Sequence, residues 1–137
     1  MIKERVAASF ARQGLMRTFG ARLLQVGQGL CRIEAPIGPA VTQQQGLAHA
    51  GLSFALGDTA AGYAALSLLP EDREVVTVEM KVNLLAPALG ERLVATGRVA
   101  RAGRRLLVVT AEVEAVRDGA ARAVALLQGT MIPVEGA

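Results

Sequence analysis

The feature that most constrains the fold of this chain is a long apolar segment with a single charge. Residues 49–69 read HAGLSFALGDTAAGYAALSLL, and Asp58 is the only side chain among them with a full charge at neutral pH. The pattern predicts one helix over residues 49–69, which Pro70 ends because proline cannot continue a helix. A helix that is apolar on almost every side must also be covered on almost every side. The remaining chain, or a second copy of it, therefore has to surround this helix.

The charge on Asp58 has two interpretations. A carboxylate among apolar side chains is costly unless it is hydrogen-bonded or faces a cavity. Asp58 either caps a turn or bonds a buried backbone group, or it serves as a general base in a cleft. The sequence by itself leaves both interpretations open.

A membrane-spanning helix is the alternative to a buried one, because residues 49–69 are long enough to cross a bilayer. A central aspartate, however, costs roughly 2.5–3.5 kcal/mol in a membrane helix on insertion scales. We therefore expect a buried helix and no membrane association. The first twenty residues lack the apolar core of a secretory signal, so the expected location is the cytoplasm.

The hydrophobic period changes from helical to alternating after Pro70. Alternation and turn residues such as Asp118-Gly119 predict four strands, over residues 73–85, 92–101, 106–116 and 120–132. Before the apolar segment, a hairpin of residues 21–26 and 30–35 follows a short amphipathic helix over residues 2–18. Short connections favour antiparallel pairing. The chain is thus predicted to be one α+β domain, residues 1–137, in which a curved antiparallel sheet wraps around the central helix.

The alternation also predicts which side chains face the helix. In residues 73–85, one face would carry Val76, Val78, Met80, Val82 and Leu84, and the other Thr77, Glu79, Lys81 and Asn83. In residues 106–116, the inward side chains would be Leu107, Val109, Ala111, Val113 and Ala115. A single sheet still leaves one side of the helix or one sheet edge uncovered, which predicts a homodimer as the minimal unit.

The composition limits the partners that the chain can bind. Aromatic residues make up 3% of the chain and tryptophan is absent, which weighs against nucleic-acid binding by base stacking. The net charge of +3 favours an anionic partner. Four arginines surround a turn at Gly103 and form either a phosphate contact or a solvated hairpin end: Arg98, Arg101, Arg104 and Arg105. Because Cys31 and His49 are the only residues of their types, we expect no disulfide, no metal site and no cofactor.

Three segments resemble one protein family in their order and spacing. Residues 43–51, QQQGLAHAG, are similar to its motif N-x-x-G-x-x-H-G-G, and residues 56–60, LGDTA, to its motif L-x-D-x-A. Residues 76–90 resemble its strand that ends in x-P-x-x-G, and residues 129–131, GTM, fit its closing strand. The family is that of the hotdog-fold acyl-CoA thioesterases, in the branch of the phenylacetate-pathway thioesterase (PaaI-like). The resemblance covers roughly residues 20–133.

The resemblance implies hydrolysis of small or medium acyl-CoA or aryl-CoA thioesters to the free acid and CoA. Asp58 matches the catalytic carboxylate, which attacks the thioester carbon or activates a water molecule. The backbone N–H of Ala50, at the predicted helix start, would polarise the thioester carbonyl. Thr77 falls where related enzymes place a Ser or Thr that holds the water. The alternative interpretation is that Thr77 is an ordinary strand threonine with no part in catalysis.

Two residues depart from the family pattern: Ala50 stands in place of a glycine, and Gln43 in place of an asparagine. The N–H survives at Ala50, and Gln43 keeps the amide on a side chain one methylene longer. We expect the ring of His49 to bond nearby backbone at the helix start rather than act as a base. Gly51 and the pair Arg104 and Arg105 are further candidates for substrate binding, the arginines through the phosphates of CoA.

In such enzymes, the counterpart of Asp58 in one subunit faces the counterparts of Gln43, His49 and Ala50 in the other. The resemblance therefore implies a catalytic homodimer, with two dimers forming a tetramer. The size of the acyl pocket would depend on how side chains such as Phe54 and Tyr63 pack. A non-catalytic domain that binds or senses acyl-CoA remains the alternative function.

Overall fold

The computed structural model describes residues 1–136, which form three α-helices, one short 3-10 helix (Pro39–Val41) and six strands. The α-helices are α1 (Ile2–Ala11), α2 (Gly14–Thr18) and α3 (Ala50–Leu66). The strands are β1 (Arg22–Gly27), β2 (Leu30–Pro36), β3 (Arg73–Leu84), β4 (Arg92–Ala102), β5 (Leu107–Arg117) and β6 (Ala120–Glu135). The apolar segment thus contains the central helix, but its last three residues, 67–69, lie beyond the end of α3.

The six strands form one sheet in the order β1-β2-β4-β5-β6-β3, and every neighbouring pair is antiparallel. The sheet is open and curved, and α3 packs against it. The predicted fold class, an α+β fold with an antiparallel sheet around a central helix, is confirmed. Among residues 1–136, no helix combines the length and the apolar character that crossing a membrane requires.

The core lies between α3 and the inner face of the sheet. All five β5 side chains that were predicted to point inward are buried: Leu107, Val109, Ala111, Val113 and Ala115. Gly97 of β4 allows the helix to approach, because a Cβ atom there would lie 2.3 Å from the carbonyl carbon of Ala60. The small side chains along α3 therefore have a structural purpose, which is close contact between helix and sheet.

The prediction for the two faces of β3 is correct after the middle of the strand, where Met80 and Val82 both pack against the core, and wrong before it. A β-bulge between Thr77 and Glu79 inserts Val78 as an extra residue, so the alternation changes phase within the strand. Thr77 is paired with the buried Met131 and faces α3, whereas Val76 is 44% and Val78 57% exposed. Since uninterrupted alternation had placed Thr77 on the face opposite Met80, the bulge is the physical reason for the error.

The N-terminal segment, predicted as one helix over residues 2–18, is two helices separated by Arg12 and Gln13. Val6 of α1 and Met16 of α2 are buried and attach both helices to the core. The Arg5 guanidinium donates hydrogen bonds to the carbonyl oxygens of Leu69, at 3.0 Å, and Arg73. These contacts hold α1 over the carboxyl end of α3.

One side of α3 and the β3 edge of the sheet remain uncovered in the single chain. The open stripe of α3 contains Phe54, which is 36% exposed, and the partly exposed Ala55, Asp58 and Gly62. Strand β3 lies at the end of the sheet, with β6 as its one neighbour among the described strands. The two uncovered features are adjacent, because Thr77 of β3 is hydrogen-bonded to Asp58 of α3.

Candidate active site

Asp58 and Thr77 form the polar centre of the candidate site. Asp58 is half-buried in the open stripe of α3, and the Thr77 hydroxyl donates a hydrogen bond of 2.8 Å to its Oδ1. Within residues 1–136, Oδ2 of Asp58 accepts no hydrogen bond. Asp58 therefore bonds a side chain across a cleft rather than the backbone, and one carboxylate oxygen is free to accept a proton or contact a ligand.

A cleft of about 480 Å³ extends from this pair, and we call it the Asp58 cleft. Its floor is the open side of α3, from Phe54 to Leu66. One wall is the start of β3, from Glu74 to Thr77, and Ser9, Gln13 and Leu15 of the N-terminal segment also line the cleft. The cleft thus offers a carboxylate on a largely apolar floor, which suits a substrate with one reactive polar group.

Three hydrogen-bonded side chains line the part of the Asp58 cleft where the N-terminal segment meets α3, and we call Ser9, Gln13 and Tyr63 the end wall. The Tyr63 hydroxyl lies 3.0 Å from the Ser9 hydroxyl and accepts a hydrogen bond of 2.9 Å from Nε2 of Gln13. Tyr63 is only 5% exposed, and the centroid of its ring lies 6.2 Å from the ring centroid of Phe10. Neither Ser9 nor Gln13 was predicted as a site residue; the signal that the sequence offers is Tyr63, a hydroxyl inside the apolar helix that needs partners if it is buried.

The amino end of α3 has one unused backbone donor. His49 caps the helix, because its Nδ1 accepts a hydrogen bond of 2.8 Å from the Gly51 N–H. The His49 N–H donates to Val41 at 2.9 Å. Ala50 is the first helical residue, so its N–H has no acceptor within the helix, and the residue is exposed. The Ala50 N–H can therefore bind an oxygen at the positive end of the helix dipole.

His49 and Gly51 serve the helix start directly. The His49 ring bonds nearby backbone, as expected, and a Cβ atom at Gly51 would lie 3.0 Å from its Nδ1. The Gly51 N–H donates to His49, and substrate binding by Gly51 stays a prediction. A side chain at this position would press against the histidine cap.

The side-chain amide of Gln43 forms hydrogen bonds within the loop that contains it. Its Oε1 accepts hydrogen bonds from the N–H groups of Gln45 at 2.5 Å and Leu47 at 3.3 Å, and its Nε2 donates to the Gln45 side chain at 3.3 Å. This loop is joined to the start of α3 by the bridge between Thr42 and Ala48. Gln43, His49 and Ala50 therefore belong to one local structure at the amino end of the helix.

The single chain does not bring this group to Asp58. Ala50 and Asp58 are eight residues apart on one helix, which corresponds to about 12 Å along the axis. A carbonyl oxygen and the group that attacks its carbon must each have a partner at about 3 Å. In one chain the candidate residues therefore form two separate groups, Asp58 with Thr77 and Ala50 with its neighbours.

Arg104 and Arg105 lie outside the Asp58 cleft, exposed in the hairpin between β4 and β5. The pairing Leu107–Met131–Thr77 runs across β5, β6 and β3, so this hairpin projects from the sheet end that holds Thr77, two strands away. The structure therefore places both arginines near that end of the molecule but does not bring them to Asp58.

Cys31 is a core side chain and not a candidate nucleophile. It is fully buried in β2, and desolvation raises the pKa of its thiol to about 12. Among residues 1–136, no group of three or more His, Cys, Asp or Glu side chains is arranged to hold a metal ion.

Comparison with known proteins identifies the family. Residues 45–121 match the model of the thioesterase superfamily. A thioesterase family protein of Silicibacter pomeroyi is 43% identical and superposes with a TM-score of 0.97 over 99% of this chain and 100% of that one. A conserved protein of Pseudomonas aeruginosa is 31% identical, with a TM-score of 0.83 over 93% of this chain and 99% of its own.

A third structure is similar in fold. The PaaI protein of E. coli, from the phenylacetic acid degradation operon, has a TM-score of 0.87 over 98% of this chain and 94% of its own, at 21% identity. The matched region 45–121 includes the helix start, Asp58 and Thr77. The sequence, the sheet topology and these matches together show that the chain is a hotdog-fold member of the thioesterase superfamily.

Proposed function

We propose that this protein hydrolyses acyl-CoA thioesters to the free acid and CoA. The observation that carries the proposal is the Asp58 carboxylate, held by Thr77 at the floor of a cleft in a thioesterase fold. Membership of the superfamily supports thioester hydrolysis in general. The choice of CoA as the thiol, and of small or medium acyl or aryl groups, comes from the motif resemblance.

Asp58 would supply the basic or nucleophilic carboxylate. As a general base it removes a proton from water, whose oxygen adds to the thioester carbon; the C–S bond then breaks and the proton passes to the CoA sulfur. As a nucleophile it attacks the same carbon and the C–S bond breaks, so that CoA leaves as a thiolate that takes up a proton; water then cleaves the resulting mixed anhydride to the free acid and the Asp58 carboxylate. In both routes the Thr77 hydroxyl holds Oδ1, so that the other oxygen is directed to the reaction.

Ala50 would stabilise the charge that develops on the carbonyl oxygen. Its N–H lies at the start of α3 without an intrahelical acceptor, where a donor and the helix dipole act together. An oxyanion donor must be fixed before the reaction, and the His49 cap fixes this turn. Gln43 would support the site indirectly, since its amide holds the loop that precedes the helix.

A second copy of the chain would complete the site. The separation of about 12 Å along α3 prevents Ala50 and Asp58 of one chain from sharing a carbonyl group. An isologous dimer through the β3 edge would place Ala50 of the partner subunit opposite Asp58. The exposure of Val76, Val78 and Phe54 at this edge supports the arrangement, because apolar side chains on an edge strand favour pairing. Two such dimers would form a tetramer.

Arg104 and Arg105 are proposed contacts for the CoA phosphates. Both guanidinium groups are exposed, so they are accessible to a ligand that extends out of the cleft. The hairpin projects from the sheet end that holds Thr77, which supports the assignment. The proposed reaction uses no metal or redox cofactor. CoA is not counted as a cofactor, because it is part of the substrate.

The experiment that tests the proposal measures thiol release from short-chain, medium-chain and aryl-CoA thioesters. We expect wild type to hydrolyse part of the panel and Asp58→Asn to lose about 1,000-fold or more in kcat, because Asn cannot accept the proton. Asp118→Asn is the matched control. It makes the same chemical change in a turn, at a φ of 51° that asparagine adopts readily, and should retain wild-type activity.

A non-catalytic acyl-CoA binding domain is the second candidate. The Gln43 amide oxygen is engaged within its own loop, and Ala50 carries a methyl group at the proposed carbonyl site. Acyl-CoA that binds wild type and remains intact after prolonged incubation would establish this second function and contradict the first. Full hydrolysis by Asp58→Asn would also contradict our assignment of the catalytic group.

A further inference from the structure

We infer that the end wall of Ser9, Gln13 and Tyr63 limits the length of the acyl group, and that the preferred substrates are short acyl thioesters. The inference rests on the proposed function, in which the thioester carbonyl lies beside Asp58. Two of its residues, Ser9 and Gln13, precede the family match at residues 45–121, whereas Tyr63 lies within it. The limit would therefore depend in part on the N-terminal segment.

The position of the end wall suggests the direction in which the acyl group lies. From Asp58 the floor continues through Gly62, one helical turn further on, to Tyr63 and Leu66. There the N-terminal segment is bonded to Tyr63 and to the carbonyl of Leu69. In our proposal the acyl group occupies the floor between Asp58 and the end wall, and the much larger CoA moiety extends in the other direction.

The hydrogen bonds of the end wall are satisfied within the protein. The Tyr63 hydroxyl accepts from Gln13 at 2.9 Å and shares a hydrogen bond of 3.0 Å with Ser9. Among residues 1–136, no buried side-chain nitrogen or oxygen lacks a partner. A polar group on the substrate is thus not needed to complete the wall, and the wall acts as a barrier rather than as a polar subsite.

The wall is also anchored, so that an acyl chain cannot easily displace it. Val6 and Met16 are buried on either side of Gln13, and Arg5 binds the carbonyl of Leu69 at 3.0 Å. A longer alkyl chain would have to break the Tyr63 hydrogen bonds or separate α1 from α3. Both changes expose buried groups, and their cost increases with each additional methylene that cannot be accommodated.

Two substitutions should change the preferred length in opposite directions. Gln13→Ala removes bulk from the wall, and Gln13 makes no capping hydrogen bond to α2 that would be lost. Gly62→Ala adds a methyl group to the floor between Asp58 and the wall. The nearest atom to its Cβ would be the Met131 methyl at 3.8 Å, an ordinary contact, so the fold can accept the change.

The experiment measures kcat/KM for butanoyl-, hexanoyl-, octanoyl- and decanoyl-CoA. Wild type should prefer the shorter members. Gln13→Ala should raise the octanoyl-to-butanoyl ratio about tenfold, and Gly62→Ala should lower it by a similar factor, since one or two methylenes in an apolar pocket have effects of this size. Arg12→Ala, at an exposed neighbouring position outside the cleft, is the matched control and should leave the ratio unchanged.

A ratio that stays within about twofold of wild type in both cleft variants overturns the inference. An equal shift in Arg12→Ala also overturns it, because the effect would then be nonspecific. If wild type hydrolyses no acyl-CoA, the proposed function fails separately. The same length dependence is then expected in the dissociation constants of the intact thioesters, and its absence there overturns the inference as well.

Discussion

At the scale of single residues, the Thr77–Asp58 hydrogen bond is the contact on which the proposed chemistry depends most. The Thr77 hydroxyl lies 2.8 Å from Oδ1 of Asp58, and the two residues belong to different elements. A bond to a charged acceptor stabilises one orientation of the carboxylate more strongly than a bond between neutral groups. Loss of this bond should therefore affect the reaction more than the stability of the fold.

Thr77→Val keeps the shape of the side chain and removes its hydroxyl. We expect kcat to fall about tenfold or more while KM changes little, because a charge-assisted hydrogen bond contributes about 1.5–3 kcal/mol. Thr130→Val is the matched control, since Thr130 makes a similar 2.8 Å bond to Glu79 away from the cleft. Equal losses of activity in both variants would contradict a specific function of Thr77.

The sequence distinguished Asp58 from its surroundings because a single charge in an apolar helix is a strong contrast. It could not identify Ser9 or Gln13 as part of the cleft, since neither differs in type from ordinary exposed helix residues. Their contribution arises from the position of α1 over Tyr63, some fifty residues later in the chain. A contact between residues this far apart in the chain produces no recognisable pattern in the sequence around either of them.

At the scale of the elements, the bulge in β3 is the feature that orients Thr77 toward α3. Gly129 on β6 is paired with Met80 next to the bulge, and a Cβ atom there would lie 2.3 Å from the carbonyl oxygen of Glu79. The glycine therefore permits the backbone of β3 to approach β6 at this point. Alternation predicted β5 correctly because that strand is regular over its inward residues, and it misassigned the first half of β3 because one extra residue reverses the phase there.

Gly129→Ala should displace β3 from β6. We expect the free energy of unfolding to fall by about 1–3 kcal/mol, as for other overpacked sites, and activity to fall with it as Thr77 moves. Urea denaturation provides the measurement. Gly38→Ala is the matched control, since no atom lies within 4 Å of the Cβ position, and a comparable loss there would contradict the steric explanation.

At the scale of the whole molecule, the single chain has an uncovered helix stripe and an uncovered sheet edge beside each other. The sequence predicted this incompleteness, because one sheet cannot surround a helix that is apolar on nearly every side. It could not locate the open side, which depends on the sheet order placing β3 at the edge. A second copy at this edge is the proposal that covers both features.

Val78→Lys should convert the protein to monomers and abolish hydrolysis. Val78 is 57% exposed in the single chain, so a lysine is compatible with the fold, but a charge on an edge strand prevents pairing. Light scattering after size exclusion measures the mass. Leu24→Lys is the matched control, on the opposite sheet edge at 41% exposure, and should leave mass and activity unchanged. Active Val78→Lys monomers would contradict the shared site.

The single inserted residue in β3 links two properties of the molecule, the orientation of Thr77 and the exposure of Val78. It directs Thr77 to Asp58, and it leaves Val78 exposed on the strand where a second copy is proposed to bind. A one-residue deletion there would restore regular alternation and alter both at once. Descendants of this protein that lose the bulge would therefore lose activity and assembly in one genetic event, whereas changes at the end wall remain free to diversify.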